Sequence, residues 1–233
     1  MRRTRLRRHA NVRRTLTARH FGRSLPLLHR TLSRLCPTAR NVLIRRSLRA
    51  LDLAAVRRAL VVGAGDDPYR RRLPHAQTYV RVDLVRRPGL CDVVADAAAL
   101  PFADASFECV VATEVLEYLP EPAKFASESR RVLADRGLAV ITVPFVFHDH
   151  HDYWRPTRRA LTELFRDYSS VRVSAQGNRL HTMFDLVTTA FSPVPVLFPL
   201  RVLSNLLFLA PARFALRNSC STAPSGFLVL AQK

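Results

Sequence analysis

The first fifty residues hold no aspartate, no glutamate and no lysine, yet they hold 15 arginines. The whole chain has 35 arginines against two lysines, Lys124 and Lys233, a skew that fits a coding bias toward arginine. Residues 51–233 carry 22 basic and 18 acidic residues, a net of +4 within the chain's total of +19. The basicity therefore belongs to an arm and not to the body. An acid-free arginine arm is drawn to anionic surfaces. Four readings stay open for it: a solvated tail, contact with an anionic membrane, nucleic-acid binding, and a targeting segment. The solvated tail is the simplest of these, and among partners an anionic membrane stands ahead of nucleic acid.

Closely spaced cysteines are also missing. Cys36, Cys91, Cys109 and Cys220 are far apart and form no CxxC. That argues against a disulfide framework or a zinc ribbon and fits a reducing, cytoplasmic compartment, at the inner face of a membrane if the arm binds one. Cys91 and Cys109 lie in apolar runs and read as core residues. No apolar segment follows the arm as a secretory signal would require. The one long apolar stretch, "FSPVPVLFPLRVLSNLLFLAP" at 191–211, is broken by Pro193, Pro195, Pro199 and Arg201. The uninterrupted part is too short to span a bilayer. It reads as a helical insertion packed on the domain or as a helix lying on a membrane surface.

What is present is an alternation of periods. Residues 1–22 read as a basic flexible arm, and 23–57 as N-terminal helices that break near Cys36-Pro37. Thr38 is placed to cap the second helix. From 58 onward, β-branched runs at 59–62, 79–82, 91–94, 107–111 and 138–143 alternate with longer segments, notably 120–134. This predicts an α/β domain over 58–233, with a parallel sheet covered by helices on both faces. Further strands are expected at 171–175 and 226–231, with the apolar insertion at 180–222 between them.

Chemistry gathers at four places. Strand 59–62 runs into Gly63-Ala64-Gly65-Asp66-Asp67-Pro68, a glycine turn that lets a ligand approach the backbone. The dinucleotide pattern GxGxxG fails at its last position, and two adjacent acids would repel a pyrophosphate. A cationic or hydroxyl-rich ligand suits this turn better. Asp83 ends the second strand, where a carboxylate accepts both hydroxyls of a ribose or caps a loop. The third place is "VVADAAALPFADASFECVVATEVLEYLPEP", 93–122. The fourth is "FHDHHDYW", 147–154. Its neighbours point to opposite sides of an extended chain and no HExxH is present, so no metal is expected.

The run Asp96, Leu100-Pro101-Phe102, Ser106-Phe107-Glu108 and Glu114-Val115-Leu116-Glu117-Tyr118 resembles class I S-adenosylmethionine-dependent methyltransferases of the type 11 branch. "SRRVLADRGLAVITVPF" and "HDYWRPT" extend the resemblance over about 58–175 and the final strand. It implies a doubly wound Rossmann-like sheet of about seven strands with the last one antiparallel. It implies S-adenosylmethionine as cofactor and methyl transfer to a small-molecule or glycan-type acceptor. Gly63, Ala64 and Gly65 would pass under the methionine part; Asp66, which is no part of the family pattern, is placed to face its cationic end. Asp83 would bind the ribose, Asp96 and Ala97 the adenine, and Thr113 and Glu114 would line the methionine end. His148 or His151, oriented by Asp152, would take a proton from a hydroxyl acceptor. Two positions depart from the family pattern. Val61 stands where an acid precedes the first glycine by two residues, and Asp67 stands for a glycine. A catalytically decayed binding or scaffold protein is the alternative they leave open.

Overall fold

The computed structural model describes residues 37–65, 70–86, 88–146, 152–190, 199–200, 202–204, 207 and 223–233. The arm at 1–22 and the first expected helix lie outside the described residues. The elements are α1 (Ala39–Arg49), β1 (Arg58–Val62), β2 (Thr78–Asp83), β3 (Val93–Val94), β4 (Phe107–Thr113), α2 (Pro122–Val132), β5 (Leu133–Pro144), α3 (Arg158–Leu164), β6 (Ser170–Gln176), α4 (Arg179–Ala190) and β7 (Gly226–Gln232).

The seven strands form one sheet in the order β3-β2-β1-β4-β5-β7-β6. Strands β1 to β5 pair in parallel. β7 is antiparallel to both β5 and β6, the inverted ending that the resemblance implied. All five parallel strands thus present their carboxyl ends at one edge. Gln176 and Gly226 join that edge, because Gly226 pairs with both Pro144 and Gln176.

Strand alternation splits the apolar side chains between two faces. Leu60, Val62, Val110, Ala112, Ile141 and Val229 face one way, beneath Phe125 and Val132 of α2 and Leu161 of α3. Ala59, Val61, Cys109, Val111 and Val140 face the other way, beneath Ile44 and Leu48 of α1. Burying both faces is what a mostly parallel sheet requires. Cys109 is fully buried, and burial pushes its thiol pKa up to about 12. Cys91 is only half-buried, because β3 is a two-residue edge strand; its Sγ donates to the Val93 carbonyl at 3.1 Å.

Several boundaries differ from the sequence reading for local reasons. The second N-terminal helix starts as expected, with Thr38 Oγ1 accepting from Asn41 N at 3.3 Å. It stops at Arg49, short of 57, and the next turn is fixed by Asp52 Oδ1 accepting from Ala54 N at 3.1 Å. Between the glycine turn and β2 the described residues form a single 3-10 turn, Arg70–Arg72. β5 begins directly after α2, at Leu133, and its pairing with β4 shifts register between Phe107 and Cys109.

The Leu100-Pro101-Phe102 motif is clamped from α2. Arg131 donates to the carbonyls of Leu100 and Phe102 at 3.0 and 2.8 Å, while Glu128 accepts from Leu100 N at 2.8 Å. Phe102 then meets Phe107 edge to face, with ring centroids 5.1 Å apart. This bracing fixes the loop that follows Asp96.

Candidate active site

The glycine turn sits at the carboxyl end of β1. Gly63 has φ +66° and Gly65 φ +55°, the left-handed region that favours glycine. Gly63 and Ala64 both donate to the Val82 carbonyl, at 2.8 and 3.3 Å, folding the turn over β2. A Cβ on Gly63 would lie 2.3 Å from Val115 Cγ2. The turn is therefore pressed against the segment that follows β4. Asp66, Asp67 and Pro68 lie outside the described residues.

Asp83, at the end of β2, is 3% exposed. Its Oδ1 accepts from Val85 N at 3.1 Å, and its carbonyl accepts from Ala95 N at 3.2 Å. Asp96 is exposed, with Oδ1 accepting from Ala98 N at 2.9 Å. Ala97 beside it is buried. Each acid thus organises the two residues that follow it.

The edge beyond β4 is built differently. Thr113 pairs with Thr142, and Glu114 N donates to the Thr142 carbonyl at 3.0 Å. Glu114 takes a positive φ of 53°, unusual for a residue with a side chain. Its carboxylate meets Arg40 from α1 through two bonds: Arg40 Nη2 to Oε1 at 2.6 Å and Nε to Oε2 at 3.0 Å. Thr142 Oγ1 donates to the same Oε1 at 3.0 Å.

Arg40 is 3% exposed. It also donates from Nη1 to Gln176 Oε1 at 2.7 Å and from Nη2 to the Val143 carbonyl at 2.8 Å. Its backbone N–H goes to Asp185 Oδ1 at 3.0 Å. Asp185, fully buried on α4, accepts from Ser225 Oγ at 2.9 Å, and burial raises its carboxyl pKa to about 6. Gly226 makes room for the guanidinium: a Cβ there would lie 2.3 Å from Arg40 Nη1.

Glu117 lies in the turn Leu116–Tyr118 and is 2% exposed. Among the described residues its Oε2 has no hydrogen-bond partner. Burial, and next the charge of Glu114, push its carboxyl up to about 9. The segment after β5 crosses this turn. Tyr153 N donates to the Glu117 carbonyl at 2.8 Å, and Trp154 Nε1 to the Leu116 carbonyl at 2.8 Å. Trp154 also packs against the core, so it braces the loop. Asp152 forms an ion pair with Arg155. His148 and His151 lie outside the described residues.

Residues 60–141 match the family model described as a methyltransferase domain. Over that segment the chain is similar to S-adenosylmethionine-dependent methyltransferases.

A demethylmenaquinone methyltransferase of Renibacterium salmoninarum is 28% identical over 137 residues, 56% of this chain and 52% of that protein. The chain thus matches about half the length of that curated relative. A SAM-dependent methyltransferase structure from Archaeoglobus fulgidus superposes with a TM-score of 0.57 at 14% identity, covering 89% of this chain and 100% of that one. Phosphoethanolamine N-methyltransferase 2 of Haemonchus contortus, in complex with S-adenosyl-L-methionine, gives 0.54 at 15% identity, covering 82% and 52%. Both show the fold.

The cofactor that such a methyltransferase domain implies is S-adenosylmethionine, a sulfonium cation joined to an adenosine. The donor set at the carboxyl edge suits such a group: two left-handed glycines, Asp83 at the end of β2, Asp96 just past β3, and an orphaned buried carboxyl oxygen. Val61, standing where an acid is usual, is 2% exposed and faces the core beneath α1. The residues at the edge that sequence reasoning missed are Arg40, Glu117, Gln176 and Asp185. Arg40 shares one helical stripe with Leu43, Ile44 and Leu48, and that spacing alone could have marked it as inward-facing.

Proposed function

We propose that this chain transfers the methyl group of S-adenosylmethionine to a small-molecule or glycan-type acceptor at an anionic membrane surface. The observation that carries the reading is the convergence of the Gly63–Gly65 turn, Asp83, Asp96 and the Thr113–Tyr118 segment at one edge of the sheet. Ligands of open α/β sheets bind at that edge.

In this reading Gly63, Ala64, Gly65 and Asp66 hold the methionine end, and Thr113 and Glu114 flank it. Asp83 accepts from the ribose hydroxyls, and Asp96 with Ala97 meets the adenine. The cofactor supplies an already activated methyl group, so the protein's task is alignment and removal of a proton. His148 and His151 are candidates for that proton, with Asp152 as orienting partner. Isothermal titration calorimetry with S-adenosylmethionine tests the reading. Binding is expected, and no heat at millimolar ligand would overturn it.

The membrane element rests on a separate observation. Among the described residues, six of the eight exposed large hydrophobics are Leu180, Met183, Leu186, Leu200, Leu203 and Leu207. The first three recur at helical spacing on α4. No described helix is long and apolar enough to cross a membrane. An apolar face together with an arginine arm suits contact with anionic lipid. Flotation with phosphatidylglycerol vesicles should carry the full chain, and loss of residues 1–22 should weaken it. Flotation unchanged by that deletion would remove the arm from the account. The second reading, a catalytically decayed relative, is favoured by the apolar Val61; it predicts no cofactor binding.

A further inference from the structure

We propose that Glu117 is a proton-holding carboxyl of the active site, which releases its proton when a sulfonium cation binds and recovers one from a hydroxyl acceptor during transfer. This rests on the methyltransferase reading and puts Glu117, in place of His148 or His151, as the group that takes the acceptor's proton.

The geometry sets Glu117 apart from its neighbour. Glu114 is saturated by Arg40 and Thr142 and keeps a fixed negative charge. Glu117 Oε2 is buried with no partner among the described residues. Buried polar atoms are almost always satisfied, so an orphan at the ligand edge is a group left for a ligand. Its position links the two halves of the site. Val115, two residues before it, touches Gly63 of the glycine turn. The carbonyls of Leu116 and Glu117 itself carry the segment that follows β5.

The charged groups around Glu117 are Glu114, which raises its proton affinity, and Arg40 and Arg155, which lower it. Arg40 is committed to Glu114 and Arg155 pairs with Asp152. In the free protein the carboxyl stays protonated up to about pH 9. A cation within about 4–6 Å lowers a carboxyl pKa by roughly one to three units. Binding of the sulfonium then sends the proton to solvent. During transfer the acceptor oxygen's lone pair forms the bond to the methyl carbon. The carbon–sulfur bond breaks with its electron pair going to sulfur, and the hydroxyl proton passes to Glu117 Oε2. The carboxyl is protonated again when the neutral thioether leaves, so each turnover releases one proton overall.

The test is calorimetry on the full chain at about pH 8 in two buffers of different ionisation enthalpy, with S-adenosylmethionine and its neutral product S-adenosylhomocysteine as probes. The wild type should release about half a proton or more with the cation and much less with the thioether. Release should vanish above the free carboxyl's pKa of about 9. Glu117→Gln should bind both probes with no difference in proton release. Equal release for both probes, binding without release in the wild type, or release retained in Glu117→Gln would overturn this proposal alone. Failure of both probes to bind would overturn the methyltransferase reading and this proposal with it. The wild-type comparison stands even if Glu117→Gln folds poorly.

Discussion

At the carboxyl ends of β2 and β3, Asp83 and Asp96 each accept a backbone N–H two residues further along. Beyond β4 and β5, Glu114 and Asp185 are tied instead to one residue, Arg40, that lies 74 and 145 positions away from them. These two bonds of the first half are local. The second half is a buried network joining α1, β4, β5, β6 and α4. Local acids of the first kind shape a turn and keep carboxylate oxygen at the strand end, as a polar ligand requires. The network of the second kind holds charge in place where water is scarce, and any one loss leaves several partners unsatisfied.

The contrast is sharpest under substitution. Arg40→Ala should have the largest effect. It removes the bonds to Glu114, Gln176 and the Val143 carbonyl, and breaking a buried pair this way costs about 3–5 kcal/mol. Denaturant unfolding measures it; a loss below about 1 kcal/mol would mean that the network is not a unit.

The next effect is a pH dependence. Glu117 is held protonated in the folded chain up to about pH 9, against an ordinary value of 4.5. Its folded pKa is therefore raised. The stability it contributes is full below 4.5 and is lost as pH climbs toward about 9. Asp185, raised to about 6 from 3.8, acts in the same direction over a lower window. Glu117→Gln should become more stable relative to the wild type as pH rises through this range. A difference flat from pH 4.5 to 9 would show that Glu117 does not hold its proton.

Asp83→Ala should have the smallest effect on stability, about 1 kcal/mol for a lost backbone cap. Its effect on cofactor affinity should be larger, about ten- to a hundred-fold, from lost hydrogen bonds to a charged acceptor. Asp83→Ala that is as destabilising as Arg40→Ala would erase the distinction between the two halves.

The same distinction explains what could be read from the sequence. The strands at 59–62, 107–111, 138–143, 171–175 and 226–231 were legible because β-branched runs bounded by turn residues are local signals; each strand extends only a little beyond them, apart from β5. Asp83 was legible as a strand-end acid, while Asp96 came only with the family resemblance. The antiparallel placement of β7 was implied by resemblance, since periodicity carries no pairing direction. Arg40 was hidden among 15 arginines in the first fifty residues, and its partners are set by the sheet order and not by spacing. Glu117 lay inside a motif that the reading quoted, but its burial follows from the loop stitched across it at Tyr153 and Trp154.

The central claim is that the edge carrying Gly63, Asp83 and Asp96 binds S-adenosylmethionine. Calorimetric titration of the full chain, with Asp83→Ala beside it, tests this most directly. The account predicts saturable binding by the wild type and about ten-fold or weaker binding by the variant. No binding by the wild type at millimolar ligand, or equal binding by both proteins, would contradict it.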